Sequence, residues 1–116
     1  MMTSVEENQG HFNLLLCQSI DETITSLLSR EVVDALYVHL QKAYTVPRDD
    51  VPDKLERLCS ALEKTFGLPS SRTICKAIAR KLYAKLALPF SANPGRTLLE
   101  YVEEAKMKIQ EEGVQA

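Results

Sequence analysis

The chain has few of the residues that build disulfide or metal sites, with three cysteines and two histidines among 116 residues. Cys17, Cys59 and Cys75 are odd in number and widely spaced, and no Cys-x-x-Cys pair occurs, so neither a disulfide framework nor a zinc ribbon is indicated. Each cysteine falls at or near the apolar face of a predicted helix, where an unpaired cysteine acts as a small hydrophobic residue. This cysteine usage favours a reducing cytoplasm.

The motifs of common active sites are also missing. The sequence has no Gly-rich phosphate loop, no His-Glu-x-x-His and no Gly-x-Ser-x-Gly. His11 lies in or beside a polar N-terminal stretch, and His39 lies at the edge of an apolar helix face, where a single histidine is usually a surface or half-buried residue. We therefore predict a protein that is not an enzyme, with no catalytic residue, metal ion or cofactor.

Long apolar runs and a strong net charge are absent as well. No run approaches the ~20 apolar residues that span a bilayer, and the N-terminal MMTSVEENQGH is polar, unlike a signal peptide. We therefore expect a soluble, cytoplasmic protein without membrane contact. The formal charge of −2 excludes the diffuse positive field of a histone-like protein, so any nucleic-acid binding would need a local basic patch.

The sequence does have apolar residues at helical spacing. Its 45% hydrophobic and 26% charged residues are typical of a globular protein, and its length fits one domain. No segment with a period of two is long enough to form a sheet. We predict an all-α bundle of about five helices, in one domain over residues 11–112 that follows a flexible tail at 1–10. Four core helices and an acidic C-terminal helix are predicted near 12–28, 30–43, 52–66, 71–87 and 97–112.

Local signals mark the ends of these helices. Ser29 is a predicted cap of the second helix, and Thr97 with Glu100 forms a Thr-x-x-Glu capping box for the fifth. Gly67 is expected to end the third helix, and Ser70 or Ser71 is expected to start the fourth.

The connector TVPRDDVPD, at 45–53, contains two prolines that forbid a continuous helix. Its acids, Asp49, Asp50 and Asp53, could be paired carboxylates or a cation site. Because acids just ahead of a helix commonly cap it, we interpret them as caps of the third helix.

The fourth predicted helix is basic, since no acidic residue occurs between residues 70 and 86. At about 100° per residue, one arc of this helix is apolar and must face the core: Ile74, Cys75, Ile78, Ala79, Leu82, Tyr83 and Leu86. The opposite arc carries a stripe of small residues: Ser70, Thr73, Ala77 and Ala84. Cations flank that stripe, and the predicted partner-binding residues are Arg72, Lys76, Ala77, Arg80, Lys81, Ala84 and Lys85.

Such a surface has three interpretations. A stripe of small residues bordered by cations allows close approach by another helix, or by a phosphate chain. It is also compatible with a solvated helix face, because alanine is the best helix former and the methylenes of Lys and Arg often cover the edge of an apolar face. Nucleic acid is the less favoured partner, because no aromatic platform or recognition-helix signature accompanies the charges.

The fifth predicted helix is acidic and suggests a partner for the fourth. It has five glutamates against Lys106 and Lys108: Glu100, Glu103, Glu104, Glu111 and Glu112. Pairing of the fourth and fifth helices, within one chain or between two chains, is therefore expected to be electrostatically favourable, at about 0 to 1 kcal/mol per exposed pair.

Three segments resemble the Nitrosopumilus output domains, a family of small archaeal domains that stand alone or follow response-regulator receivers. They are SIDETITSLLSREVVDALYVHL, VPRDDVPDKLERLCSALEKTFG and KAIARKLYAKL, within residues 19–86. The family often has Gly where this chain has Ser29. The resemblance implies an all-helical output or adaptor role in archaeal signalling or regulation and a cytoplasmic location, and it provides no established catalytic residues to carry over.

Together, these observations predict a non-enzymatic helical interaction module that binds a protein partner or a second copy of itself as a homodimer. The alternative is a small DNA- or RNA-binding regulator that uses the basic helix at 70–86.

Overall fold

The structure, a computed structural model, describes residues 3–93 and 95–115 and places the side chains of 10–47, 50–93 and 95–109. The described residues contain five α-helices and one 3₁₀ turn but no strand, which confirms the predicted all-α fold. The elements are α1 (Thr3–Leu27), α2 (Arg30–Tyr44), the 3₁₀ turn (Arg48–Asp53), α3 (Leu55–Phe66), α4 (Leu68–Lys85) and α5 (Leu98–Gln115).

Helix α4 lies at the centre of the packing, where it contacts α1, α3 and α5. Its apolar arc is buried as predicted, with Cys75 and Leu86 half-buried at the edges. The side chains that fill the core between these helices are fully buried: Leu16, Ile20, Ile24, Leu58, Leu62, Ile78, Leu82, Leu98 and Val102. Burial of this apolar surface is the main favourable term in folding.

Two predicted caps are confirmed. The Val32 N–H donates to the Ser29 hydroxyl at 3.3 Å, at the start of α2. At the start of α5, the Glu100 N–H donates to the Thr97 hydroxyl at 3.2 Å and the Thr97 N–H donates to the Glu100 carboxylate at 2.8 Å. These bonds satisfy backbone donors that the first turn of a helix otherwise leaves without a partner.

The N-terminal helix is longer than predicted. Helix α1 begins at Thr3 rather than near Phe12, so residues 3–10, predicted as part of a flexible tail, are helical. The segment lacks the apolar repeat on which the prediction depended, yet it contains no proline, and Gly10 disfavours a helix by only about 1 kcal/mol relative to alanine.

The connector also differs from its prediction. It contains a 3₁₀ turn with Pro52 inside it, and α3 begins at Leu55 rather than Pro52. The interpretation of Asp50 and Asp53 as caps of α3 is wrong, because Lys54 occupies the N-cap position and the helix has no side-chain cap hydrogen bond. The side chain of Asp49 lies outside the described residues. Asp53 instead accepts a hydrogen bond from the Asn13 side chain at 3.3 Å, which ties the connector to α1.

Helix α4 begins at Leu68, directly after Gly67, and not at Ser70 or Ser71. Gly67 ends α3 as predicted, with φ of 87°. Such a backbone turn favours glycine, and Pro69 then occupies the first turn of α4, where its missing N–H has no cost. The single residue between the helices makes a tight corner, so α3 and α4 pack against each other.

Candidate docking groove on helix α4

The stripe of small residues on α4 faces away from the core. Thr73 and Ala84 are exposed and Ala77 is half-buried, whereas Ile78 and Leu82 on the opposite side are completely buried. The stripe therefore lies on the side of α4 opposite the core, as predicted.

A surface groove of about 640 Å³ follows this stripe. Its lining residues are Glu22, Thr73, Lys76, Ala77, Arg80, Lys81, Ala84 and Lys85. All of the predicted partner-binding residues except Arg72 line it. Arg72 lines a second hollow, of about 440 Å³, which shares Thr73 and Lys76 with the groove. We refer to the first hollow as the α4 groove.

Helix α1 contributes Glu22, which is not among the residues predicted from the sequence to line this site. The Lys85 ammonium lies 3.2 Å from the Glu22 carboxylate, and that of Lys81 lies 3.5 Å from it. The hydrogen bond that Lys85 donates, together with the charges of Lys85 and Lys81, holds the pKa of the Glu22 carboxyl below its ordinary value. Glu22 therefore compensates one of the two positive charges at this end of the α4 groove.

Lys85→Met should raise the pKa of Glu22 toward its ordinary value, because the substitution removes the stronger partner of the carboxylate. Carboxyl-carbon NMR titration measures the change. Because the Glu22 pKa is lowered in the folded state, the pair stabilises the fold above the unfolded-state pKa, and this contribution is lost as the pH falls through the lowered pKa.

The matched control is Lys108→Met, since Lys108 lies 3.3 Å from a different carboxylate, that of Glu104. We expect this variant to leave the Glu22 titration unchanged. A Glu22 pKa that does not respond to Lys85→Met, or that responds equally to both variants, contradicts the described pairing.

The other end of the groove keeps its positive charge. Within the described part of the chain, Arg72 and Lys76 make no ion pair. The Arg80 guanidinium lies 5.6 Å from the centre of the Phe90 ring, a cation–π contact that leaves its charge uncompensated. Lys76 and Arg80 therefore form a cationic half of the α4 groove, and Glu22 with Lys81 and Lys85 forms a paired half.

The predicted charge pairing between α5 and α4 does not form among the described side chains. Glu104 contacts Arg96 and Lys108, and α5 meets α4 through Tyr83 and Tyr101 instead. The reason is that the apolar stripe of α5 faces the core, as the burial of Leu98, Tyr101, Val102 and Ala105 shows. The side chains of Glu111 and Glu112 lie outside the described residues.

An aromatic cluster fixes the segment between α4 and α5. Tyr83 donates a hydrogen bond to the Tyr101 carbonyl at 2.8 Å, and burial raises the pKa of the Tyr83 phenol. Phe90 completes a triangle of rings, with its ring centre 5.4 Å from that of Tyr83 and 5.2 Å from that of Tyr101, while the two tyrosine centres are 6.3 Å apart. The cluster therefore holds Phe90 beneath Arg80, at the edge of the α4 groove.

The described residues form an all-α fold of five helices, and a groove lined by small residues with cationic flanks lies on α4. Comparisons of the chain with protein-family models, with curated proteins and with solved structures find no match. None of the described helices is long and apolar enough to span a bilayer.

Proposed function

We propose that this protein is a non-enzymatic interaction module whose α4 groove binds an acidic amphipathic helix of a partner protein. The observation that carries the proposal is the exposed stripe of small residues with cations on both sides of it.

The length and shape of the stripe suit a helix. From Thr73 to Ala84 it runs for roughly 16 Å along α4, at about 1.5 Å per residue. Small side chains let a second helix backbone come close, which increases the contact area per turn. Glutamate on the outer face of a solvated helix would block such an approach, and α4 has none.

The charges indicate what the partner helix carries. The α4 groove contains four cations and one carboxylate, so its net charge favours an acidic ligand. Lys76 and Arg80 have no carboxylate partner in the described structure and are available to the ligand. Complementary charges of this kind increase the association rate and orient the partner more than they increase affinity.

Glu22 favours a protein over a nucleic acid as the ligand. A phosphate chain that followed the whole groove would pass a carboxylate between Lys81 and Lys85, and the like charges would repel. A peptide helix tolerates this site, because it can place a neutral or basic side chain against Glu22. DNA or RNA binding is therefore the second candidate.

The wider role of the module follows from the resemblance to archaeal output domains. On that basis we propose an output or adaptor function in cytoplasmic signalling, in which the receiving helix belongs to a downstream protein. The resemblance supports this role, and the comparisons with known proteins add nothing to it.

The test is the double substitution Ala77→Glu with Ala84→Glu. Two carboxylates in the stripe should block close approach and repel an acidic helix. The helix itself should survive, because the carboxylate introduced at position 77 would lie one turn from Lys81 and the one at position 84 would lie one turn from Arg80. We expect at least a tenfold weaker affinity, measured by calorimetry for a purified partner that was first captured from the source cells with the wild-type protein.

The matched control is Ala35→Glu, which places the same change on an exposed alanine of α2, outside the groove. It should retain the wild-type affinity, and circular dichroism should show that all variants are folded. Equal affinity of wild type and groove variant excludes the proposal. A salt series with mixed-sequence DNA and RNA tests the second candidate, because phosphate contacts predict affinity that falls steeply with salt.

Light scattering tests whether the occupant of the α4 groove is a second copy of this chain or a different protein. A wild-type dimer that becomes monomeric on Ala77→Glu with Ala84→Glu, but not on Ala35→Glu, would assign the groove to self-association and exclude a separate partner as its occupant.

A further inference from the structure

Two of the three cysteines are brought together by the fold. The Sγ atoms of Cys59, on α3, and Cys75, on α4, lie 3.4 Å apart although the residues are 16 positions apart in the sequence. Both residues are half-buried. The separation of Cys59 and Cys75 in the sequence does not indicate this contact, because the contact depends on the tight turn at Gly67 between α3 and α4.

The pair lies at the wall of the second hollow, the one of about 440 Å³. Ser71, Arg72 and Lys76 line the same hollow. A small polar oxidant can therefore reach the sulfur atoms from solvent. No cluster of three or more His, Cys, Asp or Glu side chains suited to a metal ion occurs among the described residues, so the two thiols have no third ligand for zinc.

The surroundings of the two thiols differ. Hydrogen bonds from the Cys59 thiol and from Ser71 lower the pKa of Cys75. The neighbouring Cys75 sulfur and burial raise the pKa of Cys59. The lowered pKa favours Cys75 as the attacking sulfur and leaves Cys59 as the thiol that resolves the sulfenic acid.

We propose that Cys59 and Cys75 are a redox modification site, which a hydroperoxide converts into a reversible disulfide between α3 and α4. The Cys75 thiolate attacks one oxygen of hydrogen peroxide, the O–O bond breaks, and Cys75 sulfenic acid and hydroxide form. The hydroxide becomes water by taking up the proton that Cys75 released when it ionised. The Cys59 sulfur then attacks the sulfenic sulfur, the S–O bond breaks, and water leaves with the Cys59 proton. In total the two thiols lose two electrons and two protons, and the peroxide becomes two waters.

The geometry permits the second step with little movement. The two sulfurs must close from 3.4 Å to the roughly 2.05 Å of a disulfide. Rotation about the side-chain bonds of two half-buried cysteines can supply this distance. The disulfide would join two helices that already pack together and would lie beside Thr73 and Lys76, which also line the α4 groove. The inference does not depend on the docking proposal.

The test treats the reduced wild-type protein with hydrogen peroxide, alkylates the remaining thiols and maps the tryptic peptides by mass spectrometry. Cleavage after Arg57, Lys64, Arg72 and Lys76 gives LCSALEK and TICK. We expect these two peptides to appear linked, two hydrogens lighter than their sum, with Cys17 alkylated. Dithiothreitol should separate them. The linked protein should melt higher by on the order of 10 °C, because the bond closes a loop in the unfolded chain.

Variants assign the roles of the sulfurs. Cys59→Ser should stop the reaction at Cys75 sulfenic acid, which dimedone traps. Cys75→Ser should form no linked peptides and should react with dimedone more slowly, because burial still raises the pKa of Cys59 and the Ser71 hydrogen bond acts on position 75. Cys17→Ser should form the linked peptides like the wild type. The proposal is overturned if the wild-type protein gives only intermolecular disulfides, only separate oxidised cysteines, or no reaction at peroxide concentrations that oxidise free cysteine.

Discussion

Leu82→Ala is expected to reduce the free energy of unfolding by about 2 to 5 kcal/mol. Leu82 is completely buried on α4, the helix that contacts α1, α3 and α5. Its replacement removes apolar surface from the core and leaves a cavity that surrounding helices fill only in part. Urea denaturation followed by circular dichroism measures the loss.

The matched control uses the same substitution at a leucine outside the core. Leu14 on α1 is 53% exposed, and Leu14→Ala should change the free energy of unfolding by less than about 0.5 kcal/mol. Similar losses for the two variants would contradict the packing of α4 at the centre of the bundle.

Tyr101→Ala is expected to reduce the free energy of unfolding by about 3 to 5 kcal/mol, since it removes a buried aromatic ring. The ring packs beside Phe90 and Tyr83, and its hydroxyl accepts from the Asn93 N–H at 2.7 Å and donates to the Asn93 carbonyl at 3.2 Å. Tyr101 therefore ties α5 to the segment that follows α4.

Tyr101→Phe separates the two contributions, because it keeps the ring and removes the hydroxyl. It should cost about 1 kcal/mol, since the Asn93 N–H loses its tyrosine acceptor while the Asn93 carbonyl keeps its hydrogen bond from the Arg96 N–H. Tyr44→Phe is the control: the Tyr44 hydroxyl has one long contact, 3.4 Å from Ser60, and its loss should cost less than about 1 kcal/mol. If Tyr101→Phe is as stable as the wild type, the proposed connection through Asn93 is wrong.

The sequence predicted those features that depend on neighbouring residues. The repeat of Ile74, Ile78 and Leu82 at intervals of four indicated which face of α4 is buried, and therefore which face carries the small residues. The Thr97 and Glu100 capping box was equally local, and both of its hydrogen bonds form.

Features that depend on distant residues were not predictable in this way. Glu22 meets Lys85 across 63 positions, and nothing near Glu22 in the sequence marks it as part of the groove. The charge pattern of the sequence predicted that the glutamates of α5 pair with the basic helix. The buried apolar face of α5 instead determines the orientation of the helix, and in that orientation Glu104 forms an ion pair with Arg96. The prediction that Asp53 caps α3 was wrong because it considered only neighbouring residues. The hydrogen-bond partner of Asp53 is Asn13, on α1.

Site-specific photo-crosslinking in the source cells tests most directly the proposal that a partner helix occupies the α4 groove. A diazirine amino acid at Ala84 would lie in the groove, and the same amino acid at Ala35 would lie on an exposed face of α2. We predict a discrete protein adduct at position 84, absent at position 35, whose crosslinked peptide maps to an acidic amphipathic helix. No adduct at position 84, the same adducts as at position 35, or adducts with nucleic acid alone would contradict binding of a partner helix in the α4 groove.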